Sequence, residues 1–210
     1  QPQANSPMKH PLPILACLVT SALHAGDPPL SPTVAPVPDT PWYERHALDF
    51  ETGWLGKVGG STPLDYGSVP VMLSWRSPEV LGLHFDGGSA LVFRNRLTLL
   101  GQWFETGAEN HYFGVMGAPS FEYWSAGGQW SLYLQVGGGA GWLDSQGVRG
   151  GQGQDFTLNW FAASGMSYTL RESVQVRGGL MFQHLSNGGA TDPNPGLDSL
   201  GFTIGLSWGF

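Results

Sequence analysis

The sequence predicts an all-β fold, a small antiparallel transmembrane β-barrel of about eight strands. Three features carry that expectation: a composition poor in charge and rich in glycine and aromatics, a period-two alternation through the body, and a last strand that alternates up to the final residue. Charged residues make up 12% of the 210, about half the share usual in soluble domains. With 32 Gly and 9 Trp, this composition suits strands that turn one face to lipid and the other to a polar interior. A soluble all-β protein with many turns would share it, so the pattern along the chain has to decide.

The first segment reads as a leader. Met8-Lys9-His10 precedes an apolar run from Pro11 to Ala25 that ends in small residues, the layout of a secretory signal peptide. Residues 1–25 are therefore expected to be an upstream extension and signal peptide, with cleavage after Ala25. The apolar run continues past Cys17, which disfavours a lipoprotein anchor there. Cys17 is the single cysteine, so the remaining chain would need no disulfide. Residues 26–41 form a proline-rich tether: six prolines stand between Asp27 and Pro41, and proline removes backbone donors and fixes φ. The barrel is expected over residues 42–210.

Within that body, Leu48, Phe50 and Trp54 alternate with Asp49, Glu51 and Gly53, and Val69, Val71, Leu73 and Trp75 repeat the pattern. Leu91, Phe93, Leu97, Leu99 and Trp103 alternate with Val92, Arg94, Arg96 and Thr98, although the stretch from Val80 to Trp103 can be divided in more than one way. Trp130, Leu132, Leu134 and Val136 form another dyad series, as do Phe156, Leu158 and Trp160. A soluble barrel with its apolar face inward would alternate equally well. The end of the chain separates the two readings. Phe202, Ile204, Leu206, Trp208 and Phe210 alternate with Gly201, Thr203, Gly205, Ser207 and Gly209, whereas soluble domains seldom finish on large apolar side chains. This strand resembles the terminal strand of bacterial outer-membrane barrels, which implies delivery to the barrel-assembly machinery. An eight-stranded barrel is filled by its own side chains, which disfavours a pore.

Other function classes are excluded or weakened. A formal charge of -7, with only Lys9 and Lys57 as lysines, does not suit nucleic acid. No later segment offers the roughly 18 unbroken apolar residues of a membrane helix. His46, His84 and His111 are scattered without ligand spacing and read as structural.

The chemistry is expected on the strand before last. Val174, Val176, Leu180 and Phe182 share their parity with His184 and Ser186, so the His and Ser follow a lipid-facing row and lie side by side. Ionisable and polar groups on that face are costly unless they sit near the interface or serve a purpose. An isolated His-x-Ser would more often be a plain pair of rim residues. Chain direction argues further: with an even strand count and both termini periplasmic, this strand ascends and ends at the outer leaflet. Residues 187–197 (NGGATDPNPGL) are turn chemistry, and Asp198 opens the last strand with outward parity. If the two strands pair, a serine nucleophile, an imidazole base and an orienting carboxylate meet there.

His184-Leu185-Ser186-Asn187-Gly188-Gly189 followed by Pro193-Asn194-Pro195-Gly196 resembles the signature of the PagL family of lipid A 3-O-deacylases, small outer-membrane barrels that remove the 3-position acyl chain of lipid A. The close likeness covers roughly the last thirty residues. It implies Ser186 as nucleophile, His184 as general base and Asp198 as the acidic member, where the family pattern has Glu. It also implies oxyanion-stabilising and supporting positions at the Gly189 backbone and the side chains of Asn194 and Asn187. The implied reaction needs no metal and no cofactor, and its substrate is lipopolysaccharide in the outer leaflet. A homodimer is compatible with the sequence and not specified by it. Two rivals stand beside this reading: a non-enzymatic small barrel of the adhesion or anchor type, and a phospholipase or acyltransferase acting on membrane lipid.

Overall fold

The computed structural model describes residues 40–210. The signal peptide expected over 1–25 and most of the tether expected over 26–41 lie outside the described residues. A single 3-10 turn at Trp42–Glu44 leads into β1 (Ala47–Lys57), β2 (Gly67–Arg76), β3 (Leu81–His84), β4 (Ala90–Thr106), β5 (His111–Trp124), β6 (Trp130–Leu143), β7 (Phe156–Arg171), β8 (Val174–Ser186) and β9 (Leu197–Gly209). All pairings are antiparallel, and eight strands close a ring: β1 pairs with β2 and β9, β2 with β4, and each strand from β4 to β9 with the next.

The short β3 pairs with β4 alone and follows β2 along it, Arg76 opposing Arg96 and Leu81 opposing Phe93. The stretch from Val80 to Trp103, whose division the alternation left open, is thus a hairpin of β3 and β4. β2 and β3 form one line of pairing along β4 that is broken around Pro78. The peptide hydrogen bonds resume on either side of that proline, from Ser77 to Asn95 and from Val80 to Phe93, because proline has no N–H to give.

Closure fixes a stagger. Leu48, Trp75, Leu97, Gly117, Gly138, Trp160, His184 and Asp198 are successive partners around the ring. The Asp198 carbonyl then accepts the Val58 N–H, so the path returns to β1 ten residues beyond its start. A barrel with that shear must tilt its strands, by about 35–45°. His184 and Asp198 lie on this path, so the closure itself fixes how the site's strands meet.

The alternation read from the sequence sorts cleanly by face. Leu97, Leu99, Leu132, Leu134, Phe202 and Ile204 are exposed outward, and Arg94, Arg96, Ser131, Gln135 and Thr203 are buried inward. The interior has two storeys. Toward the chain termini, Arg76 meets Asp49 at 2.9 Å and Glu122 at 3.2 Å, and Arg94 meets Glu122 at 3.3 Å. Glu51 is shared between Arg96 and Arg177, the latter at 3.3 Å, and Arg177 also stacks on the Tyr133 ring at 3.5 Å. Toward the other end, Leu55, Phe104, Tyr112, Leu143, Leu185 and Leu197 belong to an apolar cluster. That cluster sits directly behind the ends of β8 and β9, giving the site a packed floor.

Candidate active site at the loop end of β8 and β9

β8 and β9 run side by side with His184 directly opposite Asp198. Their inward neighbours Gln183 and Leu185 are buried, whereas the side chains of His184 and Asp198 are 26% and 28% exposed on the outer face. Nδ1 of His184 lies 2.7 Å from Oδ1 of Asp198, a charge-assisted distance. Across the other edge, His184 faces Trp160 of β7, with ring centroids 5.9 Å apart and planes 32° from parallel. The imidazole is therefore held between a carboxylate and an indole. With Nδ1 committed, Nε2 is the nitrogen left to act.

Ser186 is two residues further along the same face, roughly 7 Å from His184 along the strand axis, and opposes Leu158. Among the described residues neither Ser186 Oγ nor His184 Nε2 has a hydrogen-bond partner.

The loop over this pair is organised by Asn187, which is buried. Its backbone N–H donates to Asn194 Oδ1 at 3.0 Å, and its Nδ2 donates to the carbonyls of Gln152 at 2.5 Å and Thr191 at 2.7 Å. Its Oδ1 accepts the Gly189 N–H at 2.8 Å. Gly188 and Gly189 turn at φ of 68° and 79°, which side-chain-bearing residues rarely adopt. The turn composition thus brings Asn187, Gly189 and Asn194 together next to Ser186. It does so with one asymmetry: the Gly189 N–H is already engaged by Asn187, while Asn194 Nδ2 has no partner among the described residues. A groove of about 930 Å³ opens beside the loop, lined by Pro63, Leu64, Arg149, Pro193, Asn194 and Pro195 among others.

Three further residues touch the site that sequence reasoning did not single out. Trp160 was read only as part of a lipid-facing row. Gly196 was read as turn chemistry, yet a Cβ there would stand 3.3 Å from His184 Cε1. Gln152 lies in the run Gly150-Gly151-Gln152-Gly153, which reads as an ordinary loop; nothing local marks it. The other histidines among the described residues lie elsewhere: His46 accepts from Trp75 Nε1 at 3.2 Å, His84 contacts Glu79 at 3.0 Å, and His111 lies 3.6 Å from Asp144.

Two solved structures show how widely this architecture is shared. The crystal structure of the outer-membrane enzyme PagL superposes with a TM-score of 0.53 at 18% identity, covering 76% of this chain and 97% of that one. The crystal structure of Neisserial surface protein A gives 0.51 at 10% identity, covering 79% and 97%. At such identities the likeness establishes the fold, and it defines the class by architecture: a small antiparallel β-barrel. No curated protein matches in sequence. The family profile described as lipid A 3-O-deacylase (PagL) matches residues 75–207. The chain belongs to that family, which places it among the outer-membrane lipid A deacylases, as a hydrolase.

Proposed function

We propose that the protein hydrolyses the 3-O-linked acyl ester of lipid A with Ser186 as nucleophile, His184 as general base and Asp198 as the group that orients it. The observation that carries this reading is the 2.7 Å contact between His184 Nδ1 and Asp198 Oδ1 beside an uncommitted Ser186 hydroxyl, all on the outward face of the barrel. Ser186 Oγ attacks the ester carbonyl as its proton passes to His184 Nε2. Asp198 stabilises the imidazolium that forms. The carbon–oxygen bond to the sugar then breaks, the sugar oxygen takes the proton from His184, and an acyl-serine remains. Water, deprotonated by His184, attacks that ester; the fatty acid leaves and Ser186 regains its proton.

Negative charge develops on the carbonyl oxygen in both steps and calls for fixed donors. The free Nδ2 of Asn194 suits that task. The Gly189 N–H serves it only by sharing its bond with Asn187, and Asn187 supports both. These donors add no charge at a lipid surface. With both termini periplasmic, the loop end faces the outer leaflet, where the acyl chains would lie along the apolar wall and the sugar would reach the groove.

The test is the lipid A mass spectrum of cells expressing the protein. The wild type should remove one ester-linked acyl chain, and Ser186→Ala and His184→Ala should leave lipid A intact while the barrel still folds. Purified phospholipid and lipid A offered side by side distinguish a phospholipase. Unchanged lipid A with a folded wild-type barrel would sink the enzymatic reading.

A further inference from the structure

The β6–β7 loop contributes one residue that reaches both halves of the site. Gln152 is 2% exposed. Its backbone carbonyl accepts Asn187 Nδ2 at 2.5 Å, and its side-chain Oε1 accepts the Gly196 N–H at 3.1 Å. Asn187 directly follows Ser186. Gly196, at φ of 68° and close against the His184 ring, stands two residues before Asp198. One residue therefore holds the chain leaving the serine and the chain entering the carboxylate strand.

Gln152 is itself held from behind. Its N–H donates to Ser145 Oγ at 2.5 Å, and that hydroxyl donates to Glu109 Oε1 at 2.7 Å. The second oxygen of Glu109 accepts the Tyr66 hydroxyl at 2.6 Å. Ser145, Glu109 and Tyr66 are buried. The line runs from the start of β2, across the β4–β5 turn, to the β8–β9 loop. Buried hydrogen bonds of this kind are costly to leave half-made, so each member restrains the next.

Resting on the serine-esterase reading above, we propose that Gln152 is a positioning residue for the deacylation. It sets the distance between the Ser186 segment and the His184–Asp198 pair, without touching substrate. The chemistry is sensitive to such placement, since a misplacement of about 1 Å can cost on the order of 10²-fold in rate. An acceptor at the Oε1 position is what the role demands, because the Gly196 N–H is buried against it.

The experiment compares Gln152→Leu, which keeps the bulk and removes the acceptor, with Gln152→Glu, which restores an acceptor at the same reach. Steady-state kinetics on detergent-solubilised lipid A are read for both, with Ser186→Ala alongside and folding checked by circular dichroism. Gln152→Leu should lower kcat by about 10-fold or more with KM changed by less than about threefold, and Gln152→Glu should recover most of the loss. A folded Gln152→Leu with wild-type kcat, or equal losses in the two variants, overturns the positioning role. Should Gln152→Leu fail to fold, Gln152→Glu carries the decision: near-wild-type kcat supports the role and a deep loss refutes it. Activity surviving in Ser186→Ala would instead overturn the underlying mechanism, so the two failures are told apart.

Discussion

At Asp198, one methylene separates this chain from its family's pattern. Direct cross-strand opposition makes the shorter side chain long enough, since it spans to His184 Nδ1 at 2.7 Å. In the proposed triad a carboxylate there does two things: it holds the imidazole in one tautomer and balances the charge it would acquire. Asp198→Asn keeps the shape and loses both, so kcat should fall on the order of 10²-fold or more. Asp198→Ala should also fall, but by less than Ser186→Ala, because removing an orienter usually costs less than removing the nucleophile. Measured on one substrate, an Asp198→Asn enzyme within threefold of wild type would remove the residue from the proposed triad.

The loops are the elements that keep the proposed constellation together, and apart from the resemblance at Asn187, Gly189 and Asn194 the sequence showed them only as turn composition. Asp144 illustrates what holds them. Burial works to raise its pKa, but the N–H groups of His111 and Asn110 and the Asn110 side-chain amide outweigh it and hold the carboxyl below its usual range. A depressed folded-state pKa contributes stability above the unfolded value of about 3.9 and loses it as pH falls through the folded value. Asp144→Ala should therefore lower the thermal midpoint at pH 7, and the gap to wild type should close in strong acid. A gap that persists unchanged there would mean that Asp144 acts through packing and not through its charge.

For the whole molecule, the interior charges matter most. Glu51 answers two guanidinium groups, Arg96 and Arg177, inside the barrel. Glu51→Leu would leave both without that partner, and breaking a buried pair from one side costs about 3–5 kcal/mol. The urea midpoint in detergent should drop accordingly. A truncation at an outward position such as Leu134→Ala should matter less, since lipid or detergent fills the space. Equal shifts would mean that the ion network contributes little. The site lies at the opposite, apolar storey, so residual Glu51→Leu barrels should still bind and cleave substrate.

Much of this protein was legible in one dimension. Which residues face lipid follows from parity alone, because a strand turns successive side chains to opposite sides; His184, Ser186 and Asp198 acquired their shared outward face that way, and the ring of eight strands was countable from the same dyads. Register, closure and loop contact were not legible. That His184 meets Asp198 directly depends on how β8 and β9 slide against each other, and the stagger of ten residues around the ring is a property of all eight strands together. Gln152 had no local signature, since its role exists only where a loop more than thirty residues distant in sequence folds against Asn187 and Gly196. Periodicity is local and survives in the sequence; the meeting of distant segments is decided only by closing the barrel.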